Sequence, residues 1–208
     1  MTNTATAVLA APVGERDHIR GTATAPITLL EYGDFECPYC RALAPIVDAL
    51  RQRLGNHLRF VFRHFPMASS HPHAFRAAQA AEAAAAQGKF WEMHDLLFTR
   101  QQALADEHLH AYAAALGLDV DRFRRELQDD VYAERVREDM RSGQASGAAG
   151  TPTIYLDGVR FDTSVGLQEL LTAIRRAHPA VTIAPDADPA PERRRIPRVR
   201  HARSPRAR

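Results

Sequence analysis

The sequence predicts an α/β fold: a small mixed central sheet flanked by helices, with a helical subdomain inserted into it. Three observations carry this expectation. Short strand-type runs at 27–32, 58–65 and 153–156 bracket segments of helical periodicity. The stretch from about 73 to 142 carries only helical patterns, and its roughly 70 residues exceed what a strand-to-strand crossover needs. Finally, Asp157-Gly158 joins two short strand-like runs, a strong type I′ hairpin signal. The predicted order is β-α-β, helical insert, β-β-α, with no internal repeat.

Each element has its own reason. Residues 27–32 (ITLLEY) are a continuous apolar run after Pro26, the pattern of a buried strand that ends at Gly33 and Asp34. Pro38 suits the first turn of a helix, where its missing N–H costs nothing. Leu43, Ile46, Val47, Leu50 and Leu54 then form an apolar stripe at helical spacing, closed by Gly55. Residues 58–65 (LRFVFRHF) alternate, are rich in aromatics, and stop at Pro66. Within 73–87, AAQAAEAAAA is the strongest local helix signal, and Gly88 is a natural C-cap. Residues 90–101 place Trp91, His94, Leu97 and Phe98 near one face, as core packing. A helix at 106–116 closes at Gly117. One more, capped by Asp119 or Asp121, runs to Arg141 with Phe123, Leu127, Val131 and Val136 as its stripe. Residues 143–150 (GQASGAAG) read as a loop and 167–177 as a final amphipathic helix. Residues 1–16 read as a flexible arm, 17–180 as one domain, and 181–208 as a disordered Arg-rich tail.

Composition narrows the function classes. With 208 residues, 45% hydrophobic and 25% charged, the chain has ordinary globular character. That excludes collagen-like, wholly disordered and disulfide-stapled designs. No apolar run reaches the length of a membrane span, about 18 residues. The net charge of +2 is unevenly spread: eight arginines against Glu192 put +7 on residues 192–208 and leave −5 on the rest. A basic tail on an acidic body does not make a nucleic-acid-binding domain. The tail reads first as a solvated extension and second as an electrostatic contact to nucleic acid, acidic proteins or lipid. The first 14 residues lack the charged start and long apolar stretch of a secretory signal, so a cytoplasmic location is expected.

Cys37 and Cys40 are the only cysteines. A disulfide gains most by closing a long loop, so this pair is a poor staple. It is catalytic or metal-binding. Zinc wants four ligands, for which His64, His71 and His73 are candidates, but nothing in the sequence brings them to Cys37. A strand, a short loop and then Cys37-Pro38-Tyr39-Cys40 at a helix start suit redox chemistry. The unpaired N–H groups and partial positive charge of the first turn favour a thiolate at Cys37. That thiolate attacks a disulfide, and Cys40 resolves the mixed disulfide.

Two longer segments carry a family resemblance. Residues 17–21 (DHIRG) through 25–40 (APITLLEYGDFECPYC), together with 150–154 (GTPTI), resemble the DsbA-like disulfide oxidoreductases of thioredoxin fold. Residues 62–66 (FRHFP) and 87–91 (QGKFW) also look like family segments, and the resemblance covers about residues 17–178. It implies a thioredoxin fold with an inserted helical subdomain, Cys37 attacking and Cys40 resolving. It also implies a cis Pro152 facing the pair, Thr151 offering its backbone to a substrate strand, and Pro38 and Tyr39 at the substrate face. Glu31, six residues before Cys37, would be a buried carboxylate of raised pKa that accepts the Cys40 proton.

The chain departs from the strongly oxidising members, which have histidine before the second cysteine where Tyr39 stands here. Asp34 and Glu36 add negative charge near Cys37. Both features lead to an intermediate potential, roughly −230 to −180 mV, a range taken from known members of the fold. No cofactor is expected, because the dithiol itself carries two electrons. The expected partners are protein thiols and disulfides, or glutathione, and a redox partner. The alternatives are a glutathione-dependent enzyme of the same fold and a non-catalytic redox-sensing or metal-binding module.

Overall fold

The computed structural model describes residues 7–162 and 166–184. Five strands form one mixed sheet: β1 (His18–Gly21), β2 (Ile27–Gly33), β3 (Leu58–His64), β4 (Thr153–Leu156) and β5 (Val159–Phe161), in the order β1-β3-β2-β4-β5. β2 and β3 run parallel and the other pairs antiparallel. α1 (Pro38–Leu54) crosses between the parallel strands. The insert between β3 and β4 comprises α2 (Ala74–Ala85), α3 (Phe90–Thr99), α4 (Asp106–Ala115), α5 (Val120–Gln128) and α6 (Ala133–Ala145). α7 (Leu167–Ala177) follows the hairpin. This is the thioredoxin fold with a helical insertion.

The two-residue period of β2 sorts its side chains. Ile27 and Leu29 face a large core shared with α1, α7 and the helices α2–α5, and Glu31 follows them in register. Leu30 and Tyr32 face the opposite side and meet Val61, Phe65 and Tyr155. Glu31 therefore sits in the sheet beneath α1, paired across the ladder with Phe62 and Ile154.

Several expectations change. β1 carries no strand pattern in the sequence, because its residues, three half-buried and one exposed, do not alternate. Residues 7–16 are not a flexible arm. Val8 bridges Val159, Leu9 N–H donates to the Gly158 carbonyl (2.8 Å), and Leu9 and Val13 pack against the second core. Buried Arg63 explains the anchoring. Its guanidinium donates to Asp17 at 2.7 and 2.9 Å, and to the Ala11 and Pro12 carbonyls, both at 2.9 Å. A buried guanidinium needs this full set of acceptors.

The single helix expected from 119 to 141 is two, because Asp130 takes a left-handed conformation (φ 50°). The Val131 N–H returns to the Glu126 carbonyl across it, closing α5 without a glycine. Val131, placed on the stripe, is exposed. The expected loop at 143–150 instead begins as the last turns of α6. Gly143 lies where a Cβ would meet the Phe65 ring at 2.7 Å and the Tyr32 ring at 3.0 Å, so it brings α6 close to the sheet. Residues 181–184 belong to the body rather than to a tail. Val181 and Ile183 pack on the core, and Ala184 N–H donates to the Arg53 carbonyl (3.0 Å). The basic residues 192–208 lie outside the described residues.

Candidate active site

Cys37 is the N-cap of α1 (φ −74°, ψ 121°) and Pro38 occupies its first turn. The loop from β2 is held by Asp34. The Asp34 carbonyl accepts from Cys37 N–H (3.1 Å), and its own N–H lies 3.5 Å from the Cys40 sulfur. Its carboxylate is buried and accepts from Glu36 N–H (2.7 Å), Met67 N–H (2.8 Å) and His71 Nδ1 (2.7 Å). Gln101, from the helical insert, donates to the carbonyls of Phe35 and Cys37, both at 2.9 Å. The acid charges expected to oppose a Cys37 thiolate are thus engaged: Asp34 as above, and Glu36 with the N–H of His73 (2.7 Å) and its ring (3.0 Å).

Both thiols are free and buried. The Thr151–Pro152 peptide is cis, and the Cys37 thiol donates to the Thr151 carbonyl at 3.3 Å. A hydrogen bond from the Cys40 thiol pulls the Cys37 pKa down most. It outweighs the opposing effect of burial and is helped by the Thr151 side chain and the N–H groups of Cys40 and Tyr39, bringing the value to about 5. Cys40 moves the other way. Burial, its bond to Cys37 and the nearby Glu31 charge raise its pKa well above that of a free thiol. Burial raises Glu31 to about 8 against the pull of a Cys40 hydrogen bond, and the Cys37 charge adds to the rise. Glu31 Oε1 has no hydrogen-bond partner among the described residues. Gly33 makes room for this carboxyl: a Cβ there would lie 2.9 Å from Oε1 and collide with the Phe62 ring.

The structure therefore brings Cys37, Cys40, Glu31, Thr151 and Pro152 together, with Tyr39 exposed beside them. It does not gather the zinc set. His64 bonds Glu82 (2.9 Å), His71 bonds Asp34 and His73 bonds Glu36. Among the described residues, the one grouping of metal-ligand type is His18, His64 and Glu82. Both imidazole Nε2 atoms there are engaged with Glu82 Oε1, which also lies 3.8 Å from the Arg135 guanidinium. That oxygen is an acceptor already satisfied by its donors. Sequence reasoning missed the clamps Asp34, His71 and Gln101. Asp34 was noticed only as a charge, and Gln101 carries no signal visible in one sequence.

The family model for thioredoxin matches residues 14–176. The chain belongs to the thioredoxin family. Among solved structures, this thioredoxin-family protein is similar to a thioredoxin-like oxidoreductase from Silicibacter pomeroyi DSS-3 (TM-score 0.70, 26% identity, 79% of this chain and 93% of that one). It is also similar to oxidised BdbD from Bacillus subtilis (TM-score 0.70, 22% identity, 77% and 91%) and to alpha-DsbA1 of Wolbachia pipientis (TM-score 0.72, 18% identity, 83% and 96%). The last two likenesses are of fold.

Curated relatives are named as Na(+)/H(+) antiporters. The protein is 45% identical over 181 residues to NhaA 1 of Salinispora arenicola, covering 87% of this chain and 28% of that one. It is 52% identical over 155 residues to NhaA of Herminiimonas arsenicoxydans, covering 74% and 24%. The chain spans about a quarter of the length of these relatives. Among the described residues no helix is long and apolar enough to cross a membrane. The two cysteines stand in a fold shared with the DsbA-like structures.

Proposed function

We propose that the chain catalyses thiol–disulfide exchange on polypeptide substrates, with Cys37 as nucleophile, Cys40 as resolving thiol and Glu31 as the proton acceptor for Cys40. The observation that carries this reading is the opposed titration of two adjacent sulfurs. The Cys37 pKa is drawn down to about 5 while Cys40 keeps its proton beside a buried carboxyl whose Oε1 has no hydrogen-bond partner among the described residues. A thiolate at neutral pH attacks one sulfur of a substrate disulfide, and the other substrate sulfur leaves as a thiolate that takes a proton. In the mixed disulfide Cys37 carries no charge, so Glu31 ionises more readily; its carboxylate takes the Cys40 proton and Cys40 attacks Cys37. The second substrate thiol is released, and the two electrons gained by the substrate leave a Cys37–Cys40 disulfide. An external thiol partner restores the dithiol, and the reverse sequence oxidises substrates. In a reducing compartment net flux would run toward reduction or isomerisation, and in an oxidising one toward disulfide formation.

The Thr151 carbonyl beside Cys37 supports strand-like docking of an extended substrate segment. Exposed Tyr39 and the neighbouring Pro38 supply apolar contact at the same face. The antiporter activity named for the relatives is not needed for this chemistry.

The test is a Cys40→Ser trap. Covalent polypeptide adducts on Cys37, identified by mass spectrometry and absent from the Cys37→Ser control, are the expected outcome. Glutathione adducts alone would move the reading to a glutathione-dependent enzyme, and no adduct of either kind would end it.

A further inference from the structure

The exposed face of α1 continues away from the dithiol into a groove of about 920 Å³ against α3, the size of a ligand cleft. Arg41, Asp48 and Arg51 from α1 line it, with Arg20 from β1 and His94 and Asp95 from α3. Arg20 is committed. Its guanidinium is bidentate to Asp95 at 3.0 and 2.6 Å and lies over the Trp91 ring, 4.6 Å from its centroid. Arg51 holds Asp48 only at a long 3.5 Å, and Arg41 is exposed with no acidic partner among the described residues. Burial disfavours a charge on His94, whose Nδ1 is spent on Asp95 (2.9 Å). The groove therefore holds three guanidinium groups against two carboxylates. Burial and the neighbouring Arg20 charge lower the pKa of Arg51, as expected where positive charge is crowded and under-compensated.

We propose that this groove binds an acidic segment of the substrate polypeptide, with Arg41 and Arg51 as the residues that set the preference. The inference rests on the exchange reading above and adds a substrate class to it. Position favours a polypeptide over a small anion. Arg41 follows Cys40 directly and lies four residues, one helical turn, beyond Cys37. From Arg41 to Arg51 the helix climbs about 15 Å, the reach of about five extended residues. A chain joined to Cys37 through sulfur thus has its next residues delivered to the groove. Guanidinium pairs are also suited to bidentate carboxylate recognition.

The experiment uses the full chain and matched peptides that carry one cysteine as a mixed disulfide with thionitrobenzoate. Glutamates flank the cysteine in one peptide and glutamines in the other. The expected result is a kcat/KM ratio, acidic over neutral, of about tenfold at low salt, residing in KM and shrinking at high salt. In Arg41→Gln and Arg51→Gln proteins the ratio falls toward one, and Arg41→Lys recovers part of it. A ratio near one in the native chain, or one that survives both substitutions, overturns the proposal. A fluorescent cysteine-free acidic peptide separates the two readings. If neither disulfide peptide reacts, the exchange reading fails. Anisotropy then decides the groove alone: binding lost in Arg41→Gln supports it, and no binding to the native chain refutes it.

Discussion

Glu31 and Glu82 are both buried, at 2% and 6% exposure, yet the protein drives their acidities in opposite directions. Burial opposes the charge of each. At Glu82, hydrogen bonds from His18 (2.8 Å) and His64 (2.9 Å) overcome it, and the carboxyl falls well below the usual range. At Glu31 there is only the weak donor Cys40, so burial wins and the value rises to about 8. Partners, rather than depth, decide whether a buried carboxyl is a fixed anion or a proton store. Glu82 ties β1, β3 and α2 together as a structural anion. Glu31, under the dithiol, is left able to change state.

The largest expected effect tests the structural half of this contrast. Glu82→Ala strips both imidazoles and the Arg135 guanidinium of their shared anion and should destabilise the fold by about 3–5 kcal/mol. Thermal melting measures the loss. The fraction still folded should keep its exchange rate, and a selective loss of rate would erase the distinction between the two carboxyls.

Glu31→Gln should act with the opposite sign. A folded pKa of about 8 against an ordinary 4.5 means that Glu31 holds an extra proton in the folded chain between those values, so its contribution to native stability declines as pH climbs through that window. The amide removes the decline. The variant should be more stable than the native chain at pH 8, by on the order of 4 kcal/mol, and equal to it below pH 4.5. Resolution of the mixed disulfide should slow by about a hundredfold. A destabilised variant at pH 8 would show that Glu31 is a satisfied structural group like Glu82.

The sulfurs sharpen the same contrast. Iodoacetamide labelling of reduced Cys37 should follow a midpoint near pH 5, and Cys40→Ala should raise it by about one unit, since the Cys40 thiol is the main donor to the thiolate. Because Cys37 gives up its proton on folding, its own contribution to the stability of the reduced form rises with pH from about 5 toward 9, opposing that of Glu31; Glu31→Gln should therefore unmask it. Smallest is Gln101→Ala, which frees the Phe35 and Cys37 carbonyls and should cost about 1 kcal/mol of stability and a few-fold in rate.

Much of this architecture was legible in the sequence because it rests on local signals. Pro38 after a strand, the alanine-rich α2 and Asp157-Gly158 each write their structure into neighbouring residues. α7 appears at the expected bounds, and Asp157 and Gly158 both have positive φ. What stayed hidden depends on long-range partners. β1 exists because β3 offers it an edge, and residues 7–16 are held by Arg63, roughly fifty positions away. The break at Asp130 uses aspartate where glycine is the usual sign. At the site, the two cysteines announced themselves by spacing, and Glu31 by resemblance. The Asp34–His71 and Gln101 clamps join residues 37 and 64–66 positions apart, and no local pattern marks them.

The pairing of residues 7–9 with the β5 hairpin has a consequence for how other chains can approach. An open strand edge invites addition by any extended polypeptide, and here the outer side of β5 is occupied through Val8, Leu9 and the Arg160 N–H bond to the Ala7 carbonyl. The opposite rim, β1, is only four residues long. With one margin closed and the other curtailed, neither rim of the sheet offers a long unpaired strand on which other chains could stack.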